Sequence, residues 1–328
     1  MPRIVIDRDL PNPEILARAA ELLRGGRLVA FPTETVYGLG ANALDARAVA
    51  RIFEAKGRPS YNPIIVHVAG VDGVDEVARE WSERADALAR AFWPGPMTLV
   101  LPRRAVVPDI VTAGLDSVGV RVPAHPVARA LLEAARIPVA APSANRSTEL
   151  SPTTGQHVEK SLGDAVDLIL DAGSTRVGIE STVIDLTSDV ATVLRPGTIS
   201  MPEIERVIGR VATASHVEGT AARPSPGMMD RHYAPRARLI AMSADSVASV
   251  VEKERAAGHR VGALVVSAEV SGRSVVQMPS EPLAYAARLY STLHSLDDAG
   301  CQVVVIETVP DAPEWRGVQD RIERARAR

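Results

Sequence analysis

Two cations one residue apart, Lys56 and Arg58, stand in the string KGRP, and a second polar pair, Ser143 and Asn145, stands in APSAN. Both groups follow hydrophobic stretches. The segment from Phe31 to Val68 reads FPTETVYGLGANALDARAVARIFEAKGRPSYNPIIVHV. In it a hydrophobic run ends in a proline and a polar, glycine-bearing loop follows, with Thr33, Glu34, Thr35, Tyr37, Gly38 and Gly40. A cation at a helix C-terminus and another in its exit loop, beside a loop of hydroxyls, suit the gripping of phosphates. Of 37 basic residues only three are lysine, Lys56, Lys160 and Lys253. A lysine at position 56 therefore suits a need for a compact, flexible point charge, although chance placement accounts for one position in three equally well.

The same pattern recurs along the first two-thirds of the chain: a strand end, then a small, polar or cationic side chain. The instances are Pro32-Thr33, Lys56-x-Arg58, Arg121, Ser143-x-Asn145, Ser181-Thr182 and Arg195. Strand ends of an open α/β sheet converge on one crevice, and this crevice would combine several cations with many hydrogen-bond donors. Such a site binds an anion and works by positioning and charge stabilisation. The sequence contains no GxxxxGK[ST] loop, no GxSxG, no HExxH and no CxxC, so neither a Walker-type site nor a covalent nucleophile is indicated. Each piece also has a plainer reading. Arg121 in VGVRVP suits an edge-strand surface, and His67 in PIIVHVAG suits a satisfied core histidine. Ser143-x-Asn145 suits a turn or a helix cap, and Tyr37 and Tyr233 suit packing.

The elements that must hold these groups follow from caps and periodicity. Asn12-Pro13 opens a helix with Ile15, Leu16, Ala19, Leu22 and Leu23 on one face, ended by Gly25-Gly26. Asp45 is an N-cap for a helix carrying Val49, Ile52 and Phe53, stopped by Gly57. Helices are expected over 75–92, 125–135, from Ser151-Pro152 to about Leu162, and over 202–208. Strands are expected at 28–31, 63–68, 97–101, 118–122, 138–141, 168–170, 182–186 and 192–194, with a loop over 108–117. Residues 1–210 are thus expected to form an α/β sheet domain. Residues 211–236 lack periodicity and hold Gly219, Pro224, Pro226, Gly227 and Pro235, which makes them a linker. Its string SPGMMDRHYAP is expected to fold back on the first domain. From 237 to 328 the order strand, helix, strand, helix, strand, helix specifies a small parallel sheet covered by helices. Its first strand–helix turn, AMSADS, has no glycine fingerprint, so no dinucleotide site is assigned there. The arginines at 321, 324, 326 and 328 read as a solvated helix face.

The overall balance excludes some classes. A net charge of −3 and 3% aromatic residues leave little for a basic stripe or for base stacking. No run of 18 apolar residues and no signal-peptide pattern occurs, so a cytoplasmic setting is expected. The single cysteine, Cys301, rules out an internal disulfide and a cysteine-built metal cluster; it reads as structural.

Taken together, FPTETVYGLGANA, KGRP with NPIIVHV, FWPGPMTLVL, VTAGLDSVGVRVPAHP, APSANRS with SPT, GIESTVID, LRPG and SPGMMDRHYAP closely resemble the threonylcarbamoyl-AMP synthases, which carry a YrdC-type domain. The resemblance is strong from Arg27 to Pro235 and weak beyond. The trailing α/β domain resembles the longer, two-domain form of the family. The resemblance implies a twisted mixed sheet around a large positive cavity, followed by a small Rossmann-like unit. It implies condensation of L-threonine, bicarbonate and ATP to threonylcarbamoyl-adenylate and pyrophosphate, with Mg²⁺ carried on the phosphates, as a nucleotidyltransferase step of t6A modification of tRNA. Partner proteins would then transfer the group to the tRNA.

By the same resemblance, Lys56, Arg58, Ser143 and Asn145 hold the phosphates and carry catalysis. Thr112, Ser151, Arg195 and Tyr233, with Asn62 adjoining, hold the nucleotide. Thr33, His67, Arg121 and Ser181 hold threonine, Arg121 being suited to its carboxylate. Tyr233 would make the linker a lid over the site. The chain departs from the family at Met229-Asp230-Arg231, where related linkers often carry Lys-Tyr-Arg. Two other readings are a carbamoyl-adenylate-forming carbamoyltransferase, which normally sits in a much longer chain, and a non-catalytic RNA-binding module.

Overall fold

The structure is a computed structural model that describes residues 2–214 and 233–326. Among these residues eleven strands form one mixed sheet. They are β1 (Arg3–Val5), β2 (Val29–Pro32), β3 (Tyr37–Asn42), β4 (Val66–His67), β5 (Met97–Pro102), β6 (Ser117–Arg121), β7 (Val139–Ala140), β8 (Leu168–Asp171), β9 (Thr182–Asp185), β10 (Thr192–Arg195) and β11 (Ala212–Thr213). The spatial order is β1-β8-β2-β3-β7-β4-β6-β5-β9-β10-β11. Helices α1 (Pro13–Arg24), α2 (Ala46–Lys56), α3 (Glu83–Phe92), α4 (Asp109–Thr112), α5 (Pro126–Ala135), α6 (Gly155–Leu162) and α7 (Met201–Ile208) connect and cover it.

The sheet separates two cores because its side chains alternate faces. Along β2 and the residue before it, Leu28 and Ala30 enter a core with Val49, Ile52, Leu88 and Leu99. Val29 and Phe31 enter the other, under α1 and α5, with Leu16, Leu23, Val127 and Leu131. The caps read from the sequence form as expected. The Asn12 side chain accepts from the amides of Glu14 and Ile15, the Asp45 side chain accepts from those of Arg47 and Ala48, and Gly57 ends α2 at φ 61°.

Several local expectations are corrected. The stretch 37–42, expected as loop, is β3, antiparallel to β2. Its glycines serve close packing rather than loop freedom: a Cβ on Gly40 would lie 2.8 Å from the Phe31 ring. The helix expected over 75–92 starts only at Glu83, because Ser82 caps the amide of Ala85. Before it, Arg79 donates its amide to Pro102 and Ala78 bridges Arg103, which ties this segment to the sheet. Within 108–117 the single turn α4 forms and closes on Ala113 at φ 56°. The helix expected from Ser151 begins at Gly155, where the Thr154 hydroxyl caps the amide of His157. The short strands β1 and β11 carried no readable pattern; β11 pairs with β10 inside the stretch taken as linker. Most of SPGMMDRHYAP lies outside the described residues; Tyr233, Ala234 and Pro235 are described.

The C-terminal part has four parallel strands, β12 (Arg238–Met242), β13 (Val261–Val265), β14 (Val275–Gln277) and β15 (Val303–Glu307), in the order β12-β15-β13-β14. Helices α8 (Ala244–Ala256), α9 (Pro282–Asp298) and α10 (Arg316–Arg326) flank them. The sequence pattern missed only β14, three residues long. Cys301 is buried beside β15. The two parts share one core, in which Val36, Leu150 and Ile179 pack with Tyr233, Tyr285, Leu289 and Leu293. Among the described residues no helix is long and apolar enough to cross a membrane.

Candidate active site

The tips of β2, β4 and β6, the turns after β7 and before β9, and the end of β10 meet around one cleft. Its wall includes Thr33, Arg58, His67, Arg121, Ser143, Ser181, Arg195 and Tyr233. Eight of the residues expected from the sequence are therefore brought together, although they span two hundred positions of chain. All but one are buried, and Ser143 is half-buried.

Arg121 stands at the end of β6 with its side chain buried. It pairs with Glu34 Oε1 at 2.5 Å, donates to Thr35 Oγ1 at 3.0 Å and donates from Nε to the Gly95 carbonyl at 3.2 Å. Three of its five N–H groups are so engaged among the described residues. Glu34 is fixed in turn by the Ala124 amide at 2.9 Å. Thr33 builds the turn itself: its hydroxyl donates to the Val36 carbonyl at 2.7 Å and accepts from the amides of Thr35 and Val36. His67 stands edge-on to Phe31, with ring centroids 6.2 Å apart. Burial, with Arg121 nearby, drives its imidazole down to about 3, so it is neutral at physiological pH. Its Nδ1 has no hydrogen-bond partner among the described residues.

Lys56, Arg58 and Arg195 are the other cations of the region. Lys56 donates from Nζ to the carbonyls of Ser143, at 2.6 Å, and Asn145. It shapes the Ser143–Asn145 turn from behind, and burial, with Arg58 beside it, pushes its ammonium well below the ordinary lysine value. Arg58 lines the cleft itself. Its Nε and Nη2 donate to the carbonyls of Asn62 (3.1 Å) and Pro63 (2.7 Å), and burial brings it down to about 10. Arg195 donates to Ser181 O at 3.1 Å and to Ser181 Oγ at 3.0 Å. Desolvated cations of this kind gain most from an arriving anion. Asn145 donates from Nδ2 to the carbonyls of Arg146 and Glu149, leaving a buried Oδ1 with no partner among the described residues.

Lys56, Asn62, Asn145 and Ser151 are buried and are not among the residues that line the cleft. Thr112 lies further off, in a separate small cavity with Pro63, Ile64 and Leu115, and its buried hydroxyl has no partner among the described residues.

The largest difference from the sequence reading concerns α10. Arg321, expected on a solvated face, has a fully buried side chain. Its Nε pairs with Glu180 Oε2 at 2.7 Å and its Nη1 donates to the Pro196 carbonyl at 2.9 Å. Glu180 also accepts from Ser151 Oγ at 2.5 Å and from the Tyr290 hydroxyl at 3.1 Å. Burial alone would raise this carboxyl; Arg321 and Arg195 hold it below its ordinary value. The Arg321 guanidinium lies 5.2 Å from the centre of the Tyr233 ring, within cation–π range. Tyr233 is buried at φ 59°, a backbone conformation unusual for a bulky residue and typical of constrained sites. Glu34 and Glu180 went unassigned in the sequence although they stand inside PTET and GIEST; Arg321 carried no local signal at all.

A cleft lined by buried arginines, hydroxyls and a neutral histidine at the strand ends of a mixed α/β sheet defines the class of protein as an α/β protein with an anion-suited cleft. Comparison with known proteins narrows this. The family profile described as telomere recombination matches residues 21–197, and that described as the threonylcarbamoyl-AMP synthase C-terminal domain matches residues 199–327. The chain is 43% identical over 315 residues to the threonylcarbamoyl-AMP synthase of Pyrococcus abyssi, covering 94% of this chain and 92% of that one. It is 40% identical over 331 residues to the Bacillus subtilis threonylcarbamoyl-AMP synthase, covering 98% and 95%. The crystal structure of P. abyssi Sua5 complexed with L-threonine superposes with a TM-score of 0.95 at 40% identity, covering 99% of this chain and 98% of that one. The chain belongs to the threonylcarbamoyl-AMP synthase family, in its two-domain form.

Proposed function

We propose that this protein is an L-threonylcarbamoyladenylate synthase that condenses L-threonine, bicarbonate and ATP for the t6A modification of tRNA. The observation that carries the reading is that Arg121, Arg58, Arg195 and Ser143 line one cleft. The first can hold a carboxylate and the other two arginines a phosphate chain. The P. abyssi relative was crystallised with L-threonine, which fits a threonine subsite at Thr33, His67, Arg121 and Ser181.

In this reading the threonine amine and bicarbonate give a carbamate and water. A carbamate oxygen then attacks the α-phosphorus of ATP and pyrophosphate leaves, which makes the enzyme a nucleotidyltransferase. Arg58 and Arg195 stabilise the charge that builds on the phosphates, and Lys56 fixes the Ser143–Asn145 turn against which they lie. The neutral His67 offers a hydrogen bond without adding charge. Among the described residues no group of three His, Cys, Asp or Glu side chains is placed to hold a metal. Mg²⁺ enters with ATP, carried on its phosphates. The product passes to transfer proteins that act on tRNA in the cytoplasm.

The test is mass spectrometry of the products from ATP, bicarbonate and threonine. Threonylcarbamoyl-adenylate with stoichiometric pyrophosphate supports the reading. An adenylate formed from carbamoyl phosphate and not from threonine replaces it with the carbamoyltransferase. Salt-dependent tRNA binding without turnover of ATP replaces it with an RNA-binding module.

A further inference from the structure

The C-terminal part touches the cleft in a way its separate sheet does not require. Arg321, on the last helix of the chain, is more than sixty residues beyond the last strand of the first sheet, yet it is among the largest fully buried side chains of the protein. It reaches Glu180 and Pro196, which flank Ser181 and Arg195 in the sequence. The backbones meet here as well. A Cβ on Gly317, in the first turn of α10, would lie 2.4 Å from the Gly197 carbonyl oxygen. Only glycine lets the helix sit this close to the Arg195-Pro196-Gly197 turn.

We infer that Arg321 is a positioning residue of the nucleotide side: through Glu180 it orients Ser151, and through its own guanidinium face it orients Tyr233, so that α10 forms part of the ATP site. Glu180 accepts from Arg321 and from Ser151 on its two different oxygens, so the carboxylate is gripped from both ends and cannot rotate without breaking one bond. Tyr233 touches both the guanidinium of Arg321, 5.2 Å from its ring centre, and the ring of Tyr290, 5.9 Å away. On the threonine side Thr33 and Arg121 are held without α10, their hydrogen bonds ending at Val36, Thr35, Glu34 and Gly95, while Ser181 follows Glu180 in the chain. The inference rests on the assignment of Ser151, Arg195 and Tyr233 to the nucleotide, and it makes the second domain a component of the site rather than an appendage.

The test uses the full chain with Arg321→Met. Pyrophosphate release is measured with ATP and threonine varied in turn, and ATP binding by calorimetry. Wild-type product formation is established first: its absence overturns the functional reading, while ATP binding still tests Arg321 independently of turnover. Arg321→Met is expected to raise KM and Kd for ATP at least about tenfold, the scale of one lost charge-assisted contact, with KM for threonine at saturating ATP within about twofold. Unchanged ATP binding, or an equal weakening for both substrates, overturns the inference. The double variant Glu180→Gln with Arg321→Met removes both charges and so avoids a stranded buried carboxylate if the single variant does not fold. A recovered Tm with ATP affinity still weakened supports positioning; ATP affinity equal to wild type in that double variant shows a purely structural pair and overturns it.

Discussion

Among the described residues the chain contains two sheets whose strands end on polar loops, and the two ends differ in whether their donors are already occupied. In the first sheet Arg121 and Arg195 end strands and Arg58 follows α2, and all three line one cleft. Glu34 and Glu180 compensate the charge there in part. In the C-terminal sheet the carboxyl end of β13 offers the amides of Val266, Ser267 and Ala268, an arrangement suited to an anion. Glu307, from the end of β15, already fills it, accepting all three amides and the Ser267 hydroxyl. Burial would raise this carboxyl, but those donors hold it below its ordinary value. The same architecture is therefore open where cations exceed carboxylates and closed where the chain supplies its own anion. A sheet's carboxyl edge becomes a binding site only if its donors are left for a ligand.

This contrast predicts effects of graded size. Arg58→Ala should be the most damaging, lowering turnover about 10²–10³-fold, the usual scale for one group that stabilises transition-state charge. Turnover near wild type would remove the open sheet's main cation from catalysis. Arg121→Ala should follow, weakening threonine use by about 2–4 kcal/mol, as for truncating one partner of a buried charged pair. It should leave ATP binding unchanged, and an unaltered threonine KM would show that Glu34 alone employs this guanidinium.

On the closed edge, Glu307→Ala should cost about 1–3 kcal/mol of stability, because three amides lose their acceptor. Denaturant unfolding gives the stability, and KM for both substrates should stay at wild-type values; a change in either would mean that the second edge is functional after all. The smallest effect concerns pH. His67 is held down to about 3 by burial, with Arg121 adding to it, whereas an unfolded histidine titrates near about 6.5. The unfolded chain therefore binds more protons between those values, and stability is fully present above about pH 6.5 and is lost as pH falls toward 3. Unfolding midpoints at pH 7, 5.5 and 4.5 should show a shallower fall in His67→Gln than in wild type. Parallel slopes would place the acid sensitivity elsewhere.

Helix caps and strand patterns were legible because they are local. Asn12, Asp45 and Gly57 act on amides and carbonyls within four residues, so residue type and spacing suffice. Most of the C-terminal elements were readable for the same reason. β3 was not, since Gly38 and Gly40 suggest a loop until the Phe31 ring occupies the space their missing side chains leave. The candidate site was legible as strings that resemble a family, and the cleft wall assembles eight of the thirteen expected residues. Thr112 stands apart from it, and Lys56 faces the Ser143–Asn145 turn instead of the opening.

Composition and spacing alone determined an α/β chain with clustered cations, no covalent nucleophile and a second, smaller parallel sheet. Whether a given charge would be open to a ligand, paired or buried was decided only by tertiary structure. The burial of Arg321 depends on Glu180, 141 residues earlier, and the closing of the second edge depends on Glu307, 41 residues from the amide of Val266. Coulomb energy and desolvation depend on distance and surroundings in space, and neither is written in the order of residues along one helix.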